Sequence, residues 1–291
     1  MLFLLGSIVF TSWLTLSFKL LEKFRISSFQ SIVFNYWTCV ITGSFVNESF
    51  PIYQATFSEN WFLWSLLLGS IFIFIFNTVA FTAQQIGVAV ASVANKLSLV
   101  VPFLFSLYLY KEQATFLKIG GVIVAVLAVI LTCWPSQQIS KTNKSKTILI
   151  VIPFLLFFGS GLLDTIIKYV EQAYLNETNQ NEFLITSFAI AGFFGLIILM
   201  IRLLTGKEKF DGRSIIAGLA IGIPNYFSIW CLIKVLKTYS TNSSAIIPIN
   251  NMGIVLFSTL MAWLFFKEKL SAKNWAGILL SLLAIFLIAF G

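Results

Sequence analysis

Ten stretches of this chain, each about 20 residues long and nearly free of charge, decide what it can fold into. They run over 2–20, 29–46, 61–81, 85–110, 115–134, 148–170, 182–203, 213–236, 243–266 and 272–290. Lipid offers no partner for a free N–H or C=O group, so a segment that crosses it must bond its backbone internally, as a helix does. The connections are short and polar, and none is long enough to hold a folded soluble domain. Only 10% of the 291 residues are charged against 58% hydrophobic, far from the balance of a soluble domain. The reading is an all-α polytopic membrane protein of ten transmembrane helices. No charge precedes Lys19, so the first segment lacks the basic start of a cleavable leader and is expected to be a retained helix.

Lys and Arg are distributed unevenly over the connections. One side holds Lys19, Lys23 and Arg25, then Lys141, Lys144 and Lys146, then Arg202, Lys207, Lys209 and Arg213, then Lys267, Lys269 and Lys273. The other holds Lys111, Lys118, Lys168, Lys234 and Lys237, and Lys96 lies within a span. Basic loops stay in the cytoplasm, so both termini are expected outside it, in a cell inner (plasma) membrane. The net charge of +8 is accordingly loop charge and implies no nucleic-acid partner.

The chain also matches itself. At an offset of 149, Leu14, Lys19, Glu22, Phe34, Ile41, Gly43, Phe45 and Gly69 meet Leu163, Lys168, Glu171, Phe183, Ile190, Gly192, Phe194 and Gly218. At an offset of 156, Ala89, Asn95, Leu104, Lys111, Glu112, Gly121 and Leu127 meet Ala245, Asn251, Leu260, Lys267, Glu268, Gly277 and Leu283. Apolar matches are cheap, whereas repeated Lys-x-x-Glu, Lys-Glu, Asn and Gly are not. The expected units are residues 1–136 and 148–291, joined by a loop at 137–147. Each has five spans, an odd number, so the second enters the membrane inverted. Two inverted units that exchange conformations open a cavity first to one side and then to the other, which favours a carrier over a scaffold.

With these motifs in view, the layout resembles the ten-helix drug/metabolite transporter superfamily, above all its bacterial EamA-type members. That family has a Gly-Glu pair at the end of the fourth and ninth spans and a Gly in the helix that follows. Here Lys111-Glu112 precedes Gly121 and Lys267-Glu268 precedes Gly277, so the Glu and the second Gly match and Lys replaces the first Gly. The resemblance covers nearly the whole chain and implies transport of small metabolites or drugs through a central cavity. It also implies cytoplasmic termini, the opposite of the orientation from charge.

Lys96 is the sharpest single feature. It stands about eleven residues into its helix, roughly 17 Å deep at ~1.5 Å per residue. A charge there costs about 2.5–3.5 kcal/mol on insertion scales, so it needs a cavity, a carboxylate or a bound anion. Its counterpart is Met252, so the repeat does not require it. Asp164, opposite Thr15 in the repeat, is expected either to pair with Lys168 one helical turn on, to pair with Lys96, or to couple transport to a proton or cation. Asn95 and Asn251 are equivalent and hydrogen-bond between helices or face substrate. Pro248 beside Asn250 and Asn251, and Pro224 beside Asn225 and Tyr226, are expected to open their helices and expose those side chains to a cavity. Asn35 with Tyr36 and Trp37, and Asn77, are weaker candidates for the same lining. The Lys-Glu pairs at span ends read as interfacial groups or as a scaffold or gate shared by both halves, and Gly43, Gly69, Gly120, Gly121, Gly192, Gly218 and Gly277 as packing residues.

There is no histidine, and Cys39, Cys133 and Cys231 lack metal-ligand spacing, so neither metal nor cofactor is expected and the cysteines read as small buried hydrophobes. The reading is a secondary carrier, not an enzyme, whose partners are the bilayer, a small solute and a proton or counter-substrate, as monomer or homodimer. The alternatives are a membrane-embedded enzyme or a non-transporting structural protein.

Overall fold

The computed structural model describes residues 1–48, 50–109, 115–134, 146–176, 178–238 and 243–290, without the side chains of 106–109, 146–150 and 243–245. Lys111, Glu112, Lys141 and Lys144 lie outside the described residues, as does the side chain of Lys146. The described chain is helical throughout: α1 (Leu2–Phe24), α2 (Ser28–Val46), a 3-10 turn (Gln54–Ser58), α3 (Phe62–Gln85), α4 (Val88–Leu97) and α5 (Val100–Leu109). Then follow α6 (Phe116–Thr132), α7 (Lys146–Tyr174), α8 (Gln180–Leu204), α9 (Arg213–Thr238), α10 (Ser243–Phe266) and α11 (Ala272–Phe290). With α4 and α5 as one interrupted span, these helices coincide with the ten apolar stretches.

Eight of the described spans are long and apolar enough to cross a membrane, and α6, at 17 residues, is a shorter apolar helix. α2 differs in being wrapped by protein. Its Gln30, Ser31, Asn35 and Thr38 are buried, so its polar side chains face other helices and not lipid.

The helices gather into two compact units. One comprises Met1–Lys19, Thr78–Leu162 and Phe227–Gly291, the other Leu20–Asn77 and Leu163–Tyr226. Each therefore draws on both halves of the sequence. In the first, α6 lies along α11, and α4 packs on α10, α6 and α11. Val93 and Leu97 of α4, Ala125 and Val129 of α6, Phe157 of α7, Val255 of α10 and Ile285 of α11 form one buried core. In the second, α2 packs along α8, and Tyr36 stacks between Phe72, Phe76 and Phe188 at ring separations of 5.4–6.3 Å. In both units, helices that the sequence offset equates lie against each other: α2 with α8, α4 with α10, α6 with α11.

The α6–α11 contact is reciprocal to the residue. A Cβ on Gly121 would lie 2.8 Å from Ile288, and one on Gly277 would lie 2.3 Å from the Oγ1 and 2.5 Å from the backbone N of Thr132. Thr132 and Ile288 are themselves 156 residues apart. Without a hydrophobic drive between helices in lipid, such close backbone approach supplies the dispersion contact that holds them. Gly120 is an exception to the packing expected of the glycines: nothing lies within 4 Å of where its Cβ would be, because it faces away from α11. The three cysteines are buried free thiols.

Gly277→Ala is therefore expected to cost about 1–3 kcal/mol through forced separation of α6 and α11. Gly120→Ala is expected to be neutral or slightly stabilising. Thermal unfolding of the two variants in one detergent gives the comparison, and equal melting temperatures would refute the contact.

Candidate functional site

Within the first unit, two of the predicted residues, Asn95 and Lys96, stand at an interruption of the fourth span. α4 ends at Leu97 and α5 begins at Val100. The cause is Pro102, which has no N–H to give the carbonyl of Ser98 and whose ring crowds it. Val101 donates to that carbonyl instead, at 2.9 Å, one residue too early for an α-helix. Ser98 Oγ donates to the carbonyl of Asn95 at 2.5 Å, satisfying an acceptor left over at the end of α4. Lys96 sits in that last turn, partly buried, where a cation is favoured by the exposed carbonyl ends.

α7 docks on the interruption. Asn95 Nδ2 donates to Ser160 Oγ at 3.1 Å, and the next residue, Gly161, approaches so closely that a Cβ there would meet Val101 at 2.4 Å and the carbonyl of Ser98 at 2.8 Å. Asn95 is thus an interhelical tie whose neighbour on the chain is the partly buried Lys96. Asn250 is buried on α10, and its Oδ1 has no hydrogen-bond partner among the described residues. Asn251 is partly buried.

The other end of α4 has a different anchor. Gly87 turns the chain at φ 142° and brings no capping side chain. Glu268, from the turn after α10, accepts from the N–H of Val88 at 2.8 Å and from that of Ala89 at 3.5 Å. A carboxylate at the positive end of a helix satisfies orphan donors and meets the helix dipole. The Glu of the repeated Lys-Glu pair is therefore a cap lent to the equivalent span of the other half. Of the roles read for the pair this is a scaffold contact, here given by Glu268. A side chain on Gly87 would crowd it, with its Cβ 3.1 Å from Glu268 Oε2.

Within the second unit, Asn225 Nδ2 donates to Asn35 Oδ1 at 3.1 Å, so two predicted residues far apart in sequence meet. Asn35 is fully buried, and its Nδ2 has no partner among the described residues. Cys39 Sγ, one turn on, donates to the carbonyl of Gly222 at 3.4 Å. Tyr226 is buried with its ring beside Gly43. Asn77 Nδ2 donates to the carbonyl of Ile73 in its own helix at 2.6 Å, which spends one amide hydrogen locally. Asp164 is exposed on α7, and Lys168 is partly buried.

Two expectations need correction. α9 runs unbroken through Pro224 and α10 through Pro248. A lost N–H removes one bond and leaves its neighbours, which a helix packed on others tolerates; beside Pro224, Gly222 lies so near α2 that a Cβ would meet Thr38 at 2.5 Å and the carbonyl of Asn35 at 2.7 Å. The interruption falls at Ser98–Leu99 instead, and its signal in the sequence is Pro102.

At one end of the second unit, a polar network joins α2 to the loop between α8 and α9. Glu208 accepts from Ser27 Oγ at 2.5 Å and from Gln30 Nε2 at 2.9 Å, and pairs with Arg202 at 3.4 Å. Burial raises the proton affinity of Glu208, but the hydrogen bonds from Ser27, Gln30 and Arg202 and the charge of Arg202 outweigh it and hold the carboxyl below its usual range.

These features define a polytopic helical membrane protein with an interrupted span beside a partly buried lysine. Residues 147–290 match the model of the EamA-like transporter family. A Haemophilus influenzae protein described only as uncharacterized is 30% identical over 281 residues, 92% of this chain and 90% of its own length. A solved crystal structure, of a chain 14% identical, superposes with a TM-score of 0.57 over 99% of this chain and 96% of that one, which shows the fold alone. The chain belongs to the EamA-like transporter family, within the drug/metabolite transporter superfamily.

Two measurements follow. Glu268→Ala is expected to cost about 1–2 kcal/mol by leaving the donors of Val88 and Ala89 bare, and Glu268→Gln less, since the amide oxygen still accepts; thermal unfolding in detergent ranks them. For Glu208, a folded-state pKa below the unfolded one gives stability that is complete above the ordinary carboxylate range of ~4.3 and lost as pH falls through the folded value. The melting temperatures of the parent and Glu208→Gln are thus expected to converge with acidification, and a gap independent of pH would contradict the assignment.

Proposed function

We propose that the protein is a secondary carrier of small metabolites or drug-like solutes and that the solute binds where the fourth span is interrupted, at Lys96. The observation that carries this reading is the interruption itself. A helix that ends and restarts partway across the bilayer leaves backbone donors and acceptors without intrahelical partners, and in carriers such half-helix ends hold polar solutes and ions. Here a lysine stands in the last turn before the gap. Its charge favours a solute with a carboxylate or other anionic group, zwitterions included.

The two five-helix units, 1–136 and 148–291, act as inverted repeats in this proposal and exchange conformations to alternate access. The pairing of α2 with α8, α4 with α10 and α6 with α11 supports it, since helices near a two-fold axis pack against their own equivalents. Asp164 supplies proton or cation coupling, and Asn251 and Asn250 contribute polar contacts from α10. The basic loops face the cytoplasm of a plasma membrane, with both termini outside. The activity is transport, without covalent chemistry.

The test is flux into proteoliposomes. A panel of small anionic, zwitterionic and cationic solutes is screened for saturable counterflow, and an anionic or zwitterionic solute is expected to be carried. Lys96→Met is then expected to reduce its counterflow at least tenfold while the protein remains folded. Asp164→Asn is expected to abolish gradient-driven uptake and leave exchange intact. Unchanged counterflow in Lys96→Met would remove the lysine from the site.

A further inference from the structure

The turn between α10 and α11 carries a feature apart from the proposed solute site. A groove of about 570 Å³ opens there, lined by Trp263, Leu264, Lys267, Lys269, Leu270 and Trp275, with Glu268 in its wall. Because the turn joins two membrane spans, the groove lies at the level where hydrocarbon gives way to headgroups.

Its chemistry is divided by height. On the α10 side, Trp263, Leu264 and the adjoining Phe265 are 50%, 55% and 73% exposed, an apolar face suited to acyl chains. Above them the chain reverses through Lys267, at φ 51°, and presents Lys267 and Lys269, both exposed. Among the described residues no carboxylate pairs with either lysine. The one acid in the wall, Glu268, points to the start of α4 and is held by the N–H groups of Val88 and Ala89, so its charge is met by a helix terminus. In the first turn of α11 Lys273 lies 3.9 Å over the ring of Trp134, a third cation at this end of the two helices.

The lower half is rigidly framed. Ser271 and Asn274 close a reciprocal cap at the start of α11, with Asn274 Oδ1 accepting from the N–H of Ser271 at 2.9 Å and Ser271 Oγ accepting from that of Asn274 at 3.2 Å. Asn274 Nδ2 in turn donates to the carbonyls of Thr132 and Trp134 at 2.7 and 3.0 Å. The lysines therefore project from a turn whose backbone is fixed on both sides.

We propose that this groove is a binding site for the headgroup of an anionic phospholipid of the adjoining leaflet, with the phosphate between Lys267 and Lys269, the glycerol against Trp275 and the acyl chains on Trp263 and Leu264. Two neighbouring cations without acidic partners among the described residues, over an apolar face at the interface, match a lipid that is anionic at one end and apolar at the other. A soluble anion has no use for the apolar half.

The experiment is native mass spectrometry and thermal unfolding of the purified full chain in a neutral detergent. Phosphatidylglycerol, phosphatidylcholine and inorganic phosphate are added separately. Phosphatidylglycerol is expected to remain bound at a stoichiometry near one and to raise the melting temperature, and the other two are not. Lys267→Gln with Lys269→Gln is expected to weaken phosphatidylglycerol roughly tenfold or more, since each lysine near an anionic headgroup contributes about a factor of five. Lys23→Gln with Lys207→Gln removes the same charge elsewhere and is expected to leave binding unchanged. If the double groove variant does not fold, Lys269→Gln alone carries the comparison. Equal stabilisation by phosphatidylcholine or by inorganic phosphate, retained binding in the groove variant, or equal loss in the control overturns the proposal. None of these readings depends on transport, so they stand or fall apart from the solute site.

Discussion

In lipid a peptide group without a hydrogen bond has nowhere to turn, and this constraint organises the molecule. It explains why the described chain is helical and why the ends of helices receive particular partners. α4 shows both cases. Its start is closed by Glu268, a carboxylate from the turn after α10, and its end by Ser98 turning back onto Asn95. The helix is short because Pro102 withholds one donor; the Ser98 hydroxyl and the N–H of Val101 answer for carbonyls at the break, while Glu268 from beyond α10 closes the opposite end.

The spans are legible in the sequence because apolar length is a local property. So is the repeat, which depends only on residue identity at fixed offsets. The partners of the individual polar side chains are not, because they are decided by tertiary contact. Asn77 and Asn95 look alike in sequence, yet one donates to its own helix and the other to Ser160 on α7. Asn35 and Asn225 are each conspicuous for other reasons, and only the packing of α9 on α2 makes them one pair. Glu268 is recognisable as a repeated residue at a span end, but its reach to α4 cannot be read from the chain.

The prolines show the same limit more sharply. Pro102, Pro224 and Pro248 all lie in apolar spans, and each removes one backbone donor. The second and third stay within continuous helices, the second next to Gly222, which is pressed against Thr38 and Asn35 of α2. Local chemistry thus states where a helix is weakened, and packing decides whether it breaks. The expectation that Pro224 and Pro248 open their spans counts only the lost bond.

The interruption also identifies where the two halves cease to be copies. The offset of 156 sets Pro102 against Ser258 and Ser98 against Ile254. In α10 the carbonyl of Ile254 is accepted into a continuous helix, and Ser258 Oγ donates to it at 2.6 Å. A residue that cannot donate stands opposite one that donates twice, from backbone and side chain. Lys96 against Met252 is the second departure, two residues upstream of the first. The glycines at 121 and 277 and the reciprocal contacts with Ile288 and Thr132 keep the scaffold symmetric. The contacts that hold α6 on α11 are thus repeated between the halves, whereas the broken turn, Lys96 and Asp164, which stands opposite Thr15, are not, so the sequence departs from its own repeat at positions that this scaffold contact does not require.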